Sequence, residues 1–226
     1  MLEEETDFQE LLLEPLETLM ESHEVALDAA RVLRKLRESF GETSELVTVL
    51  ERLRDLEPLA EDRQAVLIDL AEVWEMRLGE PSRAFDILLE LIESTGFDNV
   101  TLDRLEKLSR SERLRDRFLT LLRSLDQETY LENEQLSSLR TRRARVLCED
   151  PEHRKEASEV LESILFDDPE NVEAASALEN VLIEMDNPEA LLRFFQSRVD
   201  VAFEADEKVE LYLKICDLLE NRLNRP

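Results

Sequence analysis

Leu70-Ala71-Glu72-Val73-Trp74-Glu75-Met76-Arg77-Leu78-Gly79-Glu80-Pro81-Ser82-Arg83-Ala84-Phe85 is the stretch that decides the fold. With successive side chains about 100° apart, Val66, Leu67, Leu70, Val73 and Trp74, with Met76 or Leu78, form one broad apolar face, which predicts a helix from Asp62 to Leu78. Gly79 stops that helix. Pro81 sits in the first turn of the next, which is expected from Ser82 to Ser94 and closes at Gly96. Two short helices joined by a tight turn make a hairpin.

The pattern recurs about every 72 residues. The stretches around Leu67 to Trp74, Ser138 to Arg145 and Tyr212 to Leu219 show it, with Ala71, Ala144 and Cys216 at matching places and Trp74, Leu147 and Leu219 three residues on from these. Small residues recur where paired helices cross closely, because a larger side chain would push them apart. Further helices are expected near 100–108, from Ser111 or Glu112, and over 134–147, 151–166, 169–185, 188–203 and 206–223, with Asp98 and Asn99 as caps for the first of these. Pro15 is expected to interrupt an early helical stretch over 7–20, and Gly41 to close the next. Connections of about two to six residues suit antiparallel neighbours. No Gly-, Ser- or Pro-rich linker divides residues 1–226, so the expected organisation is one continuous array of about five to six hairpins. Each helix is too short to bury its face alone, and stacking supplies the core.

Composition agrees. There are only three glycines among 226 residues, Leu and Glu dominate, and no alternating run of β-branched residues appears. The class is all-α. A net charge of −27 argues against bare nucleic acid and anionic membrane surfaces, which need a cationic footprint. No apolar run approaches the length of a membrane span, and the acidic start lacks a secretory pattern, so the expected location is cytoplasmic. Cys148 and Cys216 lie on separate helices and are expected as small, semi-buried core residues.

The repeat resembles the tetratricopeptide repeat. Ala71, Trp74, Gly79 and Ala84 look like that family's small residue, large residue, turn glycine and second-helix alanine. Ala144 with Ala157, and Ala177 with Ala190, keep the same thirteen-residue separation, and Asp168-Pro169-Glu170-Asn171 is similar to its inter-repeat turn. Leu91 and Ile164 depart from the pattern, Gly96 replaces a turn proline, and the hairpin from Val100 to Leu125 matches poorly. The resemblance implies a right-handed α-α superhelix and a piece of a longer bacterial-type repeat protein. Leu223-Asn224-Arg225-Pro226 aligns with Leu78-Gly79-Glu80-Pro81, and the segment over 7–20 reads as a second hairpin member. Truncation is therefore expected at the C-terminal end, and the start is open to the same reading. The test named by the repeat is an uncovered apolar stripe on the last helix.

Chemistry is sparse. His23 and His153 have no ligand-like neighbours, and there is no metal-ligand spacing, phosphate-cradling glycine loop or nucleophile elbow. No catalytic, cofactor or metal site is expected. Trp74 reads as packing. The one anomaly is Arg140, Arg142, Arg143 and Arg145 inside an acidic chain. Arg142 and Arg145 are helical neighbours, and Arg145, Glu72 and Asp217 each follow the small residue by one position. The resemblance implies that first helices line a concave surface. There Arg142, Arg145, Glu72 and Asp217 would meet a protein or peptide partner, Arg taking a carboxylate. The bland alternative is pairing of these arginines with nearby Glu. The expected function is a non-catalytic interaction scaffold; the alternative is a structural spacer or regulatory segment of a larger multidomain protein.

Overall fold

The computed structural model describes residues 11–22, 24–128 and 130–223. His23, and the start of the helix expected over 7–20, lie outside the described residues. So does the Asn224-Arg225-Pro226 part of the terminal alignment.

Among the described residues there are twelve α-helices and no strand. They are α1 Leu13–Met20, α2 Ala26–Phe40, α3 Thr43–Leu56, α4 Ala60–Glu72, α5 Pro81–Thr95, α6 Asn99–Leu108, α7 Glu112–Asp126, α8 Asn133–Cys148, α9 Arg154–Asp167, α10 Val172–Glu184, α11 Pro188–Val201 and α12 Ala205–Asn221. Local chemistry sets their ends. Asp98 caps α6 by accepting the backbone N–H of Thr101 at 2.8 Å, and Asn171 and Asn187 do the same for α10 and α11 at 2.9 and 3.1 Å. Glu132 and Gln135 form a reciprocal capping box at the start of α8. Gly41 ends α2 at φ +71°, in the left-handed region that glycine enters without a Cβ penalty.

The chain forms two compact units, residues 1–114 and 115–226, with the boundary inside α7. In the first, each of α1 to α5 packs on the next in sequence. Leu33, Leu46, Leu50, Leu67, Leu70, Phe85 and Leu88 are fully buried between them. Each such side chain contributes about 1.5–3 kcal/mol relative to exposure. In the second unit α8 packs on α9, α9 on α10, α10 on α11 and α11 on α12, and α8 also touches α10. Packing between sequence neighbours, with small residues Ala71, Ala84, Ala144 and Ala157 buried at the crossings, makes this an all-α stack of tetratricopeptide-like hairpins within each unit. The first hairpin members are α2, α4, α6, α8, α10 and α12.

Several expectations need correction. Where the stretch expected over 7–20 is described, from Leu11 on, helical geometry begins at Leu13, and Pro15 lies in the first turn of α1, where its missing N–H costs nothing. The helix from Asp62 to Leu78 is not α throughout: Val73–Arg77 is a π-turn, closed by Leu78 N–H on the Val73 carbonyl at 3.1 Å. Pro151 opens a 3₁₀ turn, Pro151–His153, and α9 starts only at Arg154. Pro169 precedes its helix, because Asn171 is the cap and helical geometry begins at Val172. Cys148 is half-buried as expected, but Cys216 is exposed, since among the described residues no helix covers that side of α12.

Candidate functional site

Successive first helices leave grooves between them, and cavities lie in the α2–α4, α8–α10 and α10–α12 grooves. In the first unit the α2–α4 groove encloses about 540 Å³ and is a wall of charge. Arg31 donates Nε–H and an Nη–H to the two carboxylate oxygens of Glu57, at 2.9 and 2.7 Å. The Glu57 side chain is only 5% exposed, so this two-pronged bond compensates its burial. Arg34 spans to Asp69 at 2.6 Å. Burial raises the Asp69 carboxyl above its ordinary range against the pull of Arg34. These cations are already engaged within the groove.

The α8–α10 groove in the second unit differs in kind. It encloses about 340 Å³, and its floor is apolar: Ala144 from α8, Leu161 and Ile164 from α9, Ala174 and Ala177 from α10. Thr141, Arg145, Asn171 and Glu173 stand at its polar edge, and Cys148 closes one end. The cavity exists because alanines face each other across it. Burial, then Glu184 and Glu149, push the Cys148 thiol up, so it stays protonated and weakly nucleophilic. A few polar groups around an apolar concavity suit an apolar side chain held in a set orientation.

The third groove, α10–α12, encloses about 240 Å³ between Val172, Phe194, Arg198, Glu210 and Lys214. Lys214 bonds Glu179 across it at 2.6 Å and lies 5.2 Å from the Phe195 ring centroid.

The arginine cluster splits by function. Arg140 bonds Asp126 at 3.1 Å and Asp167 at 2.6 Å. Arg143 bonds Glu156 through Nε at 3.1 Å, and Arg123 grips the same carboxylate at 2.8 and 2.6 Å. Hydrogen bonds from Arg123, then from Arg143, overcome burial and hold the Glu156 carboxyl at about 2. For these two, the pairing reading of the sequence is the one realised. Arg145 is exposed on the α8–α10 groove and Arg142 is half-buried on the same helix, and neither is without a partner. Asp217 is exposed on α12 and accepts a hydrogen bond from Asn221 at 2.7 Å. Glu72 is exposed on α4, in the other unit. Of the four residues singled out, only Arg145 lines one of these three cavities.

The sequence reading missed Cys148, Leu161, Ile164, Ala174 and Ala177 as a lining. The available signal was the density of alanines in 174–177, which sets a shallow helix face opposite Ala144. His153 sits half-buried with Nδ1 3.2 Å from Asp150. Trp74 is half-buried in the π-turn with the Arg83 guanidinium 5.9 Å from its ring. Among the described residues no group of three or more His, Cys, Asp and Glu side chains could hold a metal ion, and no helix is long and apolar enough to cross a membrane.

No family model and no curated protein matches the chain. Among solved structures it is similar to YrrB, a TPR protein with an unusual peptide-binding site, at 12% identity, covering 88% of this chain and 97% of that one with a TM-score of 0.45. A tetratricopeptide repeat protein from Parabacteroides merdae ATCC 43184 is 13% identical over 88% of this chain and 79% of its own, TM-score 0.45. PilF of Pseudomonas aeruginosa is 16% identical over 87% and 86%, TM-score 0.43.

Proposed function

We propose that the chain is a non-catalytic scaffold that holds a peptide segment of a partner protein in the α8–α10 groove. The observation that carries this is the apolar cavity of about 340 Å³ floored by Ala144, Leu161, Ile164, Ala174 and Ala177 beside Arg145. A buried Leu or Phe of the peptide fills the floor, and Arg145 orients a carboxylate near it. Thr141 at the groove's edge offers a hydrogen bond to the peptide backbone, while Asn171 is held as the cap of α10. The charge-walled α2–α4 groove plays the other part of a scaffold, holding its helices in fixed register. Glu72 and Asp217 remain proposed partner contacts at the repeat-equivalent positions, and a segment with basic residues suits them.

A displayed random peptide library selected on the protein tests the reading. Selected peptides are expected to share an apolar anchor and an acidic residue, and to lose binding at least about tenfold to A177F, which fills the floor, and to R145E. Enrichment that A177F leaves unchanged would place binding elsewhere.

A further inference from the structure

Among the described residues no large apolar side chain is more exposed than Phe166, at 86%, and Phe203 follows at 83%. Phe166 lies in the last turn of α9, and Phe203, 37 residues on, stands between α11 and α12. Each is followed six residues later by a valine near the start of the next helix, Val172 at 74% and Val209 at 56%. Phe166 and Val172 keep this exposure with α10, α11 and α12 all in place after them, so it belongs to the turn itself. Single apolar residues on a surface are ordinary, but the same pair at the same place in consecutive hairpins makes a patch. The two turns lie at one end of the second unit. Arg198 of α11 donates to the Pro169 carbonyl, and Val172 of α10 lines the α10–α12 groove together with Glu207 and Glu210.

The first of these turns is held in place. Arg140 bonds Asp167 at 2.6 Å, and Asn171 donates to Asp168 at 3.4 Å while capping α10 through the Ala174 N–H at 2.9 Å. The Phe166 ring is therefore presented from a fixed backbone, and among the described residues neither it nor Phe203 meets a cation or another ring.

Charge says what covers the patch. Residues 166–173 carry Asp167, Asp168, Glu170 and Glu173 and no base, and residues 203–210 carry Glu204, Asp206, Glu207 and Glu210 against Lys208 alone. The same unit shows how a ring and an acid together hold a cation: Lys214 Nζ lies 5.2 Å from the Phe195 ring centroid and 2.6 Å from Glu179. Arginine suits such a place better than lysine, because its planar guanidinium stacks on a ring and bonds a carboxylate at once. A second copy of this chain would set acid against acid, which like charges oppose.

We infer that the α9–α10 and α11–α12 turns together dock a segment of a partner protein in which arginine alternates with apolar residues. Its guanidinium groups lie on the Phe166 and Phe203 rings beside the acids of each turn, and its apolar side chains lie on Val172 and Val209. This surface is separate from the α8–α10 groove and does not depend on it.

The probe is a short labelled peptide alternating arginine with leucine, titrated with the 226-residue protein and read by fluorescence anisotropy. Saturable binding is expected. F166A and F203A, both at exposed positions, are each expected to weaken it about tenfold, while L59A, at an exposed leucine of the first unit, and A177F, which fills the α8–α10 groove, leave it unchanged. Lysine in place of arginine in the peptide is expected to weaken binding severalfold. A peptide drawn only by the net charge of −27 would ignore the rings and accept lysine equally well. Absence of saturation, wild-type affinity in either phenylalanine variant, equal affinity for the lysine peptide, or a comparable loss in L59A or A177F would each overturn the assignment. So would self-association through these turns that the peptide does not displace. Far-UV circular dichroism of the variants confirms that they fold.

Discussion

Glu156 on α9 receives both prongs of the Arg123 guanidinium from α7, at 2.8 and 2.6 Å, although the two residues are 33 apart in sequence. Arg143 of α8 joins the same carboxylate. Three helices are tied at one acid, and two of them, α8 and α9, also line the groove proposed to bind peptide.

The pH dependence follows with a definite sign. The Glu156 carboxyl is lowered from 4.5 to about 2 on folding, chiefly by Arg123. Its stabilisation is complete above 4.5 and disappears as pH falls through the interval down to about 2. E156Q is therefore expected to lower unfolding free energy at neutral pH by about 1–2 kcal/mol, discounted for its partial solvent exposure, and to flatten the stability slope below pH 4.5. Urea unfolding at pH 7 and pH 3.5 for both proteins checks this. Parallel slopes would show that the carboxylate contributes little.

The close-approach role of the small residue is tested by a pair of substitutions at repeat-equivalent positions. Ala71 is fully buried and Cys216 is exposed. A71L is expected to cost about 1–3 kcal/mol through overpacking. C216L is expected to stay within about 0.5 kcal/mol of wild type. Chemical denaturation of the two variants measures both, and equal losses would remove the packing explanation.

Gly79 gives a backbone test free of steric confusion. It has φ +67°, and a Cβ built there meets nothing within 4 Å. G79A is expected to destabilise by about 1 kcal/mol from the left-handed conformation alone, and G79N by less. A loss well beyond that for G79A would mean that the turn carries more than conformational preference.

Much of the fold could be read from the chain because its punctuation is local. Gly41, Gly79, Asp98 and Asn187 act on the residues beside them, so helix order and most ends are legible. The π-turn at Val73–Arg77 is not, because the apolar spacing that suits an α-helix also accommodates one wider turn. Pro169 misled for a related reason: proline fits a first helical turn and a preceding turn equally well, and Asn171 two residues on is the stronger cap. The site was less legible still. Arg140 and Arg143 look like a cationic patch in sequence, yet their partners Asp126, Glu156 and Asp167 come from other helices. The groove floor is assembled from three helices, and no single segment announces it.

The thiols separate by environment, which yields a further prediction. Cys216 is exposed, while Cys148 is half-buried with its thiol pushed up by burial and by Glu184 and Glu149. Iodoacetamide at pH 8 is expected to label Cys216 at least about tenfold faster. Mass spectrometry of the two peptides gives the ratio, and equal rates would contradict the packing around Cys148.

That separation supplies the most direct measurement of the central claim. Cys148 lines the α8–α10 groove and Cys216 does not. A peptide selected on the protein and added at saturation is predicted to slow the labelling of Cys148 severalfold while the rate at Cys216 stays constant. Unchanged labelling of Cys148 with the peptide fully bound would contradict the groove as the binding site.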